Sequence, residues 1–267
     1  MLVPAHPASF AACCLSLFLP TWAVASTASL DFDSLQHGEE VTNQFFSSAG
    51  VTISGVDDDN AGNSLPIVAF DTEIPQPNPG TPTTSDPDLQ RLGLNGQDSV
   101  RGWNGGNLGS DYIVGNALIV QENNNQNAQG IFTDPDDRAA GGIIVIDIDA
   151  TNYDYRYVQT LLVDFEETGV PLFRFTDINS NVATYSPSLE FDTPDNNFLY
   201  YTPIIDTESL GLDSRLSRIE FEFTNASGAI GLLALSDDAS FNGFIPEPSS
   251  ALLMVMGGLV AFRRRRD

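Results

Sequence analysis

Between residues 26 and 245 the chain is a succession of short apolar runs broken by polar turns, and no long window carries the 3.6-residue period of an amphipathic helix. The runs predict strands at Ser29–Phe32, Val51–Val56, Pro66–Phe70, Ala117–Gln121, Gly142–Asp149, Val158–Phe165, Pro171–Thr176, Asn197–Tyr201, Leu216–Thr224 and Gly228–Leu235. Several alternate cleanly. Ile144, Ile146 and Ile148 fall on one face, with Val145, Asp147 and Asp149 on the other; Phe221 and Phe223 oppose Glu220 and Glu222. Short strands regularly spaced by turns predict one all-β domain over residues 26–240, an antiparallel β-sandwich of jelly-roll type. Three stretches interrupt the pattern. Thr72–Asp88 holds five prolines and is expected to be extended and surface-bound. Gly102–Ser110 is rich in Gly and Asn around Trp103, and Gln121–Gln129, almost all Asn and Gln, is expected to be a flexible tip.

The two ends follow other patterns. Residues 8–24 are apolar with few exceptions and lead to Ala23-Val24-Ala25, a small-x-small cleavage site, so residues 1–25 read as a secretory signal peptide cut after Ala25 by signal peptidase. The segment departs from the usual pattern in having no Lys or Arg before its apolar run. At the other end, residues 241–267 contain Pro246-Glu247-Pro248, an uncharged run from Ser249 to Phe262, and Arg263-Arg264-Arg265-Arg266. As a helix the 14 uncharged residues reach about 21 Å at roughly 1.5 Å per residue, short of a hydrocarbon core of about 30 Å. Phe244 and Ile245 lengthen the apolar stretch, and the arginines fix the C-terminal end on the cytoplasmic side while their stems snorkel to the interface. These flanks predict one short transmembrane helix.

The Pro-Glu-Pro tripeptide, apolar run and arginine cluster resemble the PEP-CTERM sorting signal of exported bacterial proteins. The resemblance implies that the membrane-embedded protease exosortase cuts near Pro246-Glu247-Pro248 and releases the preceding domain. A second, less specific resemblance covers most of the rest. Phe32-Asp33, Val41-Thr42-Asn43-Gln44-Phe45, Gly50-Val51-Thr52-Ile53-Ser54, Asp86-Pro87-Asp88-Leu89, Asn116-Ala117-Leu118-Ile119-Val120-Gln121-Glu122 and Ser227-Gly228-Ala229-Ile230 are similar in order to a β-sandwich ectodomain common among PEP-CTERM proteins. It implies the same fold and deposition at the surface, and no particular reaction.

Removing the ends changes the chemistry open to the chain. Both cysteines, Cys13 and Cys14, lie in the leader, so neither disulfides nor Cys-ligated zinc hold the domain together. Of 36 acidic residues only Glu247 and Asp267 lie beyond Ile245, leaving 34; of 11 Lys and Arg, all of them Arg, four form the terminal cluster, leaving 7 and a net charge near −27. Such a charge opposes nucleic acid and anionic lipid heads and suits an extracellular protein that meets divalent cations. His37 is the sole histidine after the leader and reads as an exposed turn residue beside Gly38, unfit for a hydrolase triad. No Gly-x-Ser-x-Gly elbow or phosphate-binding loop is present.

Glycoside hydrolysis needs only two carboxylates, for which Asp164 and Glu166 share one strand face. Calcium takes 6 to 8 oxygen ligands, and the chain offers Asp57-Asp58-Asp59-Asn60, Asp86-Pro87-Asp88 and Asp134-Pro135-Asp136-Asp137. The first fails as an EF-hand, with Ala61 and Val68 at ligand positions. Asp86, Asp88, Asp136 and Asp137 are the expected calcium ligands, with Asp33 and Glu122 as additions from strand edges. Trp103, Tyr112, Tyr153, Tyr155 and Tyr157 offer sugar-stacking rings or, more often, core and strand-face residues.

These features predict an exported protein, transiently anchored in the cytoplasmic membrane and then at the cell surface or outside the cell. It is expected to be non-catalytic, to bind exopolysaccharide or calcium, and to leave nucleic acid alone. The alternative is an extracellular carbohydrate-active enzyme, a glycoside hydrolase or lyase on the same sandwich.

Overall fold

The alternation builds two antiparallel sheets in the structure, a computed structural model that describes residues 26–58, 63–72, 89, 114–163, 171–187, 199–224 and 226–243. About 48% of it is strand and 3% helix. In chain order the elements are β1 (Thr27–Asp31), α1 (Phe46–Ala49), β2 (Val51–Val56), β3 (Ser64–Leu65), β4 (Ile67–Asp71), β5 (Asn116–Val120) and β6 (Gly141–Ile148). They continue as β7 (Tyr157–Val163), β8 (Leu172–Asp177), β9 (Val182–Tyr185), β10 (Leu199–Tyr201), β11 (Ile205–Asp206), β12 (Leu216–Thr224) and β13 (Ala229–Ser236). Six strands run β3-β2-β6-β12-β8-β9. The other sheet runs β10-β7-β13-β5-β4, with β1 also on β13 and β11 also on β7. Each of the ten predicted strands coincides with an observed one where described. The short β3, β9 and β11 were not foreseen, because each buries too few side chains to leave a period-2 trace; in β9 only Ala183 is buried.

The sheets face each other across one apolar cluster. Ile53, Ile144, Ile146, Phe173, Phe175, Ile219, Phe221 and Phe223 come from the six-stranded sheet, and Leu30, Ile67, Leu118, Leu162, Ile230, Leu233 and Leu235 from the other. Phe173 and Phe221 pack edge to face there, with centroids 4.9 Å apart. The expected inward set of β6 and β12 is therefore observed. Val145 departs from its partners: it lies on the outer face, opposite Ser54 and Glu220, yet is buried.

The seven-stranded sheet is apolar on both faces. Val68, Phe70, Ala117, Ile119, Leu161, Val163 and Ala229 point away from the main core into a second cluster, completed by Phe132 and Leu89. Leu89, the residue directly after the proline-rich stretch, is fully buried and helps to cover this face. The physical reason is that an outward apolar sheet face must be shielded from water; residues 73–88 of the proline-rich stretch lie outside the described residues. β13 serves both clusters by a bulge between Ile230 and Leu232. The extra residue, Gly231, sits where a Cβ would come within 2.8 Å of Val114. It shifts the alternation so that Leu233 and Leu235 return to the main core.

Residues 121–133 form a hairpin. Gln126 bridges Phe132, and the Asn127 side chain accepts the N–H groups of Gln129 and Ile131 at 2.9 and 3.0 Å. Among the described residues no helix is long and apolar enough to cross a membrane. Residues 1–25 and 244–267, and with them Ala25, Pro246, Glu247, Pro248 and Arg263–Arg266, lie outside the described residues.

Candidate functional site

The outer face of the six-stranded sheet carries a charge ladder. β12 lies between β6 and β8, and its register sets Arg218 opposite Asp147 and Thr176, and Glu220 opposite Val145 and Arg174. Arg218 Nε donates to Asp147 Oδ1 at 2.7 Å, and its Nη1 stands 3.7 Å from Glu220 Oε1. Arg174 Nη1 is 3.8 Å from Glu220 Oε2 and contacts Glu222 more closely. A bulge between Leu216 and Arg218 frees Ser217, whose hydroxyl donates to the carbonyls of Thr176 and Asp177 at 3.2 and 2.9 Å. Asp147, Arg174, Thr176, Val182, Ser217, Arg218 and Glu220 line a solvent-open groove of about 420 Å³. The arrangement presents fixed, alternating hydrogen-bond donors and acceptors beside the exposed side chain of Val182. It suits a ligand with many hydroxyls. Asp147, Glu220 and Glu222 each already have a guanidinium beside them. Sequence reading recognised the alternation of Glu220 and Glu222 but not this groove, since cross-strand partners are distant in sequence.

The acidic loops take up a different end of the molecule. Segment 134–138 runs beside the end of β5: Glu122 N–H donates to Asp136 O at 3.0 Å, Gln121 bridges Asp137, and Arg138 N–H donates to Val120 O at 2.9 Å. Arg138 then reaches back to the Asp57-Asp58 stretch, with Nη1 3.2 Å from Asp57 Oδ1, 3.5 Å from Asp58 Oδ1 and 2.8 Å from Gly141 O. Asp137 Oδ2 accepts the Gly228 N–H at 2.6 Å. Arg138 thus supplies positive charge between two acidic stretches, a role the sequence reading missed.

The six expected calcium ligands do not form one set. Glu122, Asp136 and Asp137 are neighbours through backbone pairing at one end of β5. Asp33 sits at the other, its Oδ1 accepting the Asn116 N–H at 2.9 Å. Gly115 permits that approach: it holds φ +70° and a Cβ there would strike the Asp33 carboxylate. Asn116 and Glu122 are separated by roughly 20 Å of extended chain, whereas ligands of one calcium ion lie 2.3–2.6 Å from it. Asp33 therefore cannot share an ion with Glu122. Asp86 and Asp88 lie outside the described residues, although Leu89 beside them packs with Phe132 in the second cluster. Among the described residues no three His, Cys, Asp or Glu side chains gather as a metal site.

His37 lies in a turn, as expected, but is not exposed. It is half-buried, its ring packs edge-on to Phe70 at 5.3 Å, and Nδ1 accepts the Asp71 N–H at 3.0 Å. Burial lowers its pKa, against the opposing pull of Asp71 and Asp134. Tyr155 belongs to the core, with its hydroxyl donating to Ala49 O at 3.1 Å and its ring stacked on Tyr153; burial raises its pKa. Tyr157 lies on β7, half-buried. Trp103, Tyr112, Asp164 and Glu166 lie outside the described residues. Asp177 closes the β8–β9 turn. Burial disfavours its charge, but hydrogen bonds from the Asn181 side chain and from the N–H groups of Asn181 and Asn179 outweigh this and lower its pKa.

No protein-family model matches the sequence, and no curated protein matches it.

Proposed function

We propose that this chain is an exported, PEP-CTERM-sorted protein of the cell surface or extracellular matrix, non-catalytic, which holds exopolysaccharide on the outer face of its six-stranded sheet. The strand arrangement is read as a jelly roll. Signal peptidase and exosortase are its processing partners, and the run from Ser249 to Phe262 anchors it in the cytoplasmic membrane beforehand. The observation that carries the ligand reading is the open groove whose donors and acceptors are fixed by cross-strand register. An extended polar polymer can lie across such a groove without being enclosed. Calcium, if it takes part, belongs with Glu122 and Asp136 rather than with Asp33.

The test has two arms. Replacing Arg263–Arg266 with Ser is expected to impair retention and processing at the membrane; wild-type localisation of that variant would end the sorting reading. Wild-type protein is expected to bind purified exopolysaccharide on a glycan array, with Arg218→Ala at least tenfold weaker and still folded. Equal binding by both would remove the groove from the function. Asp147 and Glu220, on either side of Arg218, support an enzyme as the second reading. New reducing ends from the polysaccharide, lost in Glu220→Gln, would move the assignment there.

A further inference from the structure

Ser26, the residue after Ala23-Val24-Ala25, begins β1's pairing with β13. Its N–H donates to Asp237 Oδ1 at 2.8 Å, and its carbonyl accepts the Asp237 N–H at 3.1 Å. The next rung pairs Thr27 with Ser236, whose hydroxyls lie 3.0 Å apart. Hydrolysis of the Ala25–Ser26 bond adds one water, leaves a carboxylate on Ala25 and turns the Ser26 amide into a protonated α-amine. We propose that this cleavage completes a site: the new Ser26 ammonium forms an ion pair with Asp237 that fastens β1 to β13 in the mature protein. The inference rests on the export reading above. An ammonium beside a carboxylate forms a shorter, stronger hydrogen bond than an amide does, and it adds a positive charge to a domain near −27. β1 is held laterally by β13, with Thr27–Asp31 opposite Ser236–Leu232, so an added tie at its first residue limits fraying where the strand begins.

The absence of lysine makes the claim directly measurable. After cleavage the Ser26 α-amine is the sole primary amine in the chain. The full-length gene is expressed in an exporting host, and the N-terminus of the purified protein is read by intact mass and terminal sequencing. The amine is then labelled by ¹³C reductive methylation, which keeps its charge, and titrated by NMR. The expected result is a start at Ser26 and a midpoint above the ordinary α-amino range of about 7.7–8.0, by roughly half a unit or more. In Asp237→Asn the midpoint returns to that range. As a second readout, N-terminal acetylation lowers the melting temperature of wild type and leaves Asp237→Asn unchanged. Protein that is exported but cut elsewhere, or cut at Ser26 with equal midpoints in both forms, overturns the ion pair and leaves the export reading standing. Protein that stays in the cytoplasm with residues 1–25 attached ends the export reading itself.

Discussion

His37 and Arg138 show how single side chains settle matters left open by composition. His37 is neutral in its folded surroundings because burial opposes the imidazolium, and protonation would put a donor at Nδ1 against the Asp71 N–H. Its folded pKa lies below the unfolded value of about 6.5, so the stability it contributes is present above about pH 6.5 and is lost as pH falls through the folded pKa. Melting temperature is expected to drop between about pH 7.5 and about pH 5.5, and to drop less in His37→Asn, which keeps an acceptor for Asp71 but cannot titrate. Equal drops would mean that His37 is not the group involved. Arg138 stands between Asp57, Asp58 and the Gly141 carbonyl, largely shielded from solvent. Arg138→Ala is expected to cost about 2 kcal/mol in urea unfolding, a figure between a surface ion pair and a buried one. A loss below about 0.5 kcal/mol would reduce it to a surface pair.

At the level of elements, the seven-stranded sheet departs from the usual division into one apolar and one solvated face. β5 is buried at every position from Asn116 to Val120, and β7 from Val158 to Val163. The outward residues meet Phe132 and Leu89. Leu89→Ala is therefore expected to destabilise the protein by about 2–5 kcal/mol, the range for truncating a buried leucine. A surface-bound loop would give a change within about 0.5 kcal/mol, as a thermal or urea melt would show. The outer face of the six-stranded sheet responds differently. Arg218 and Asp147 are half-exposed, so Arg218→Ala is expected to cost under about 1 kcal/mol of stability. That small cost is why the variant is suited to a binding test.

Over residues 26–245 a net charge near −27 makes self-repulsion substantial, and Arg138 stands with Asp57, Asp58 and the Asp136-Asp137 segment at the end of β5. If a divalent ion shares that end, millimolar calcium raises the melting temperature relative to chelator at constant ionic strength. The gain would be roughly 2.7 kcal/mol at a hundredfold excess over the dissociation constant. Asp33→Asn is expected to keep the full shift, because Asp33 lies at the opposite end of β5. An Asp86→Ala, Asp136→Ala double variant is expected to lose it. No shift in wild type, or an undiminished shift in the double variant, would leave these acids as solvated surface groups. Far-UV circular dichroism of residues 26–245 is expected to be dominated by β-structure. A helix content of a quarter or more would contradict the 3% helix seen in the described residues.

The sequence by itself determined the all-β class and the position of nearly every long strand. A period of two is a local property, so Ile144, Ile146, Phe221 and Phe223 announce their face without reference to any other strand. Composition likewise excluded disulfides and Cys-ligated zinc within residues 26–267, and the ends supplied the expectation of export. Which residues meet was decided only by the tertiary structure. Asp147 finds Arg218, Asp57 finds Arg138 and Ser26 finds Asp237 across strand pairings that join distant parts of the chain. Alternation gives a side chain its face but not its neighbour. For the same reason Asp33 and Glu122, each placed at a strand edge by the sequence pattern, could be grouped as ligands although they sit at opposite ends of β5. The extended backbone of β5 holds them roughly 20 Å apart.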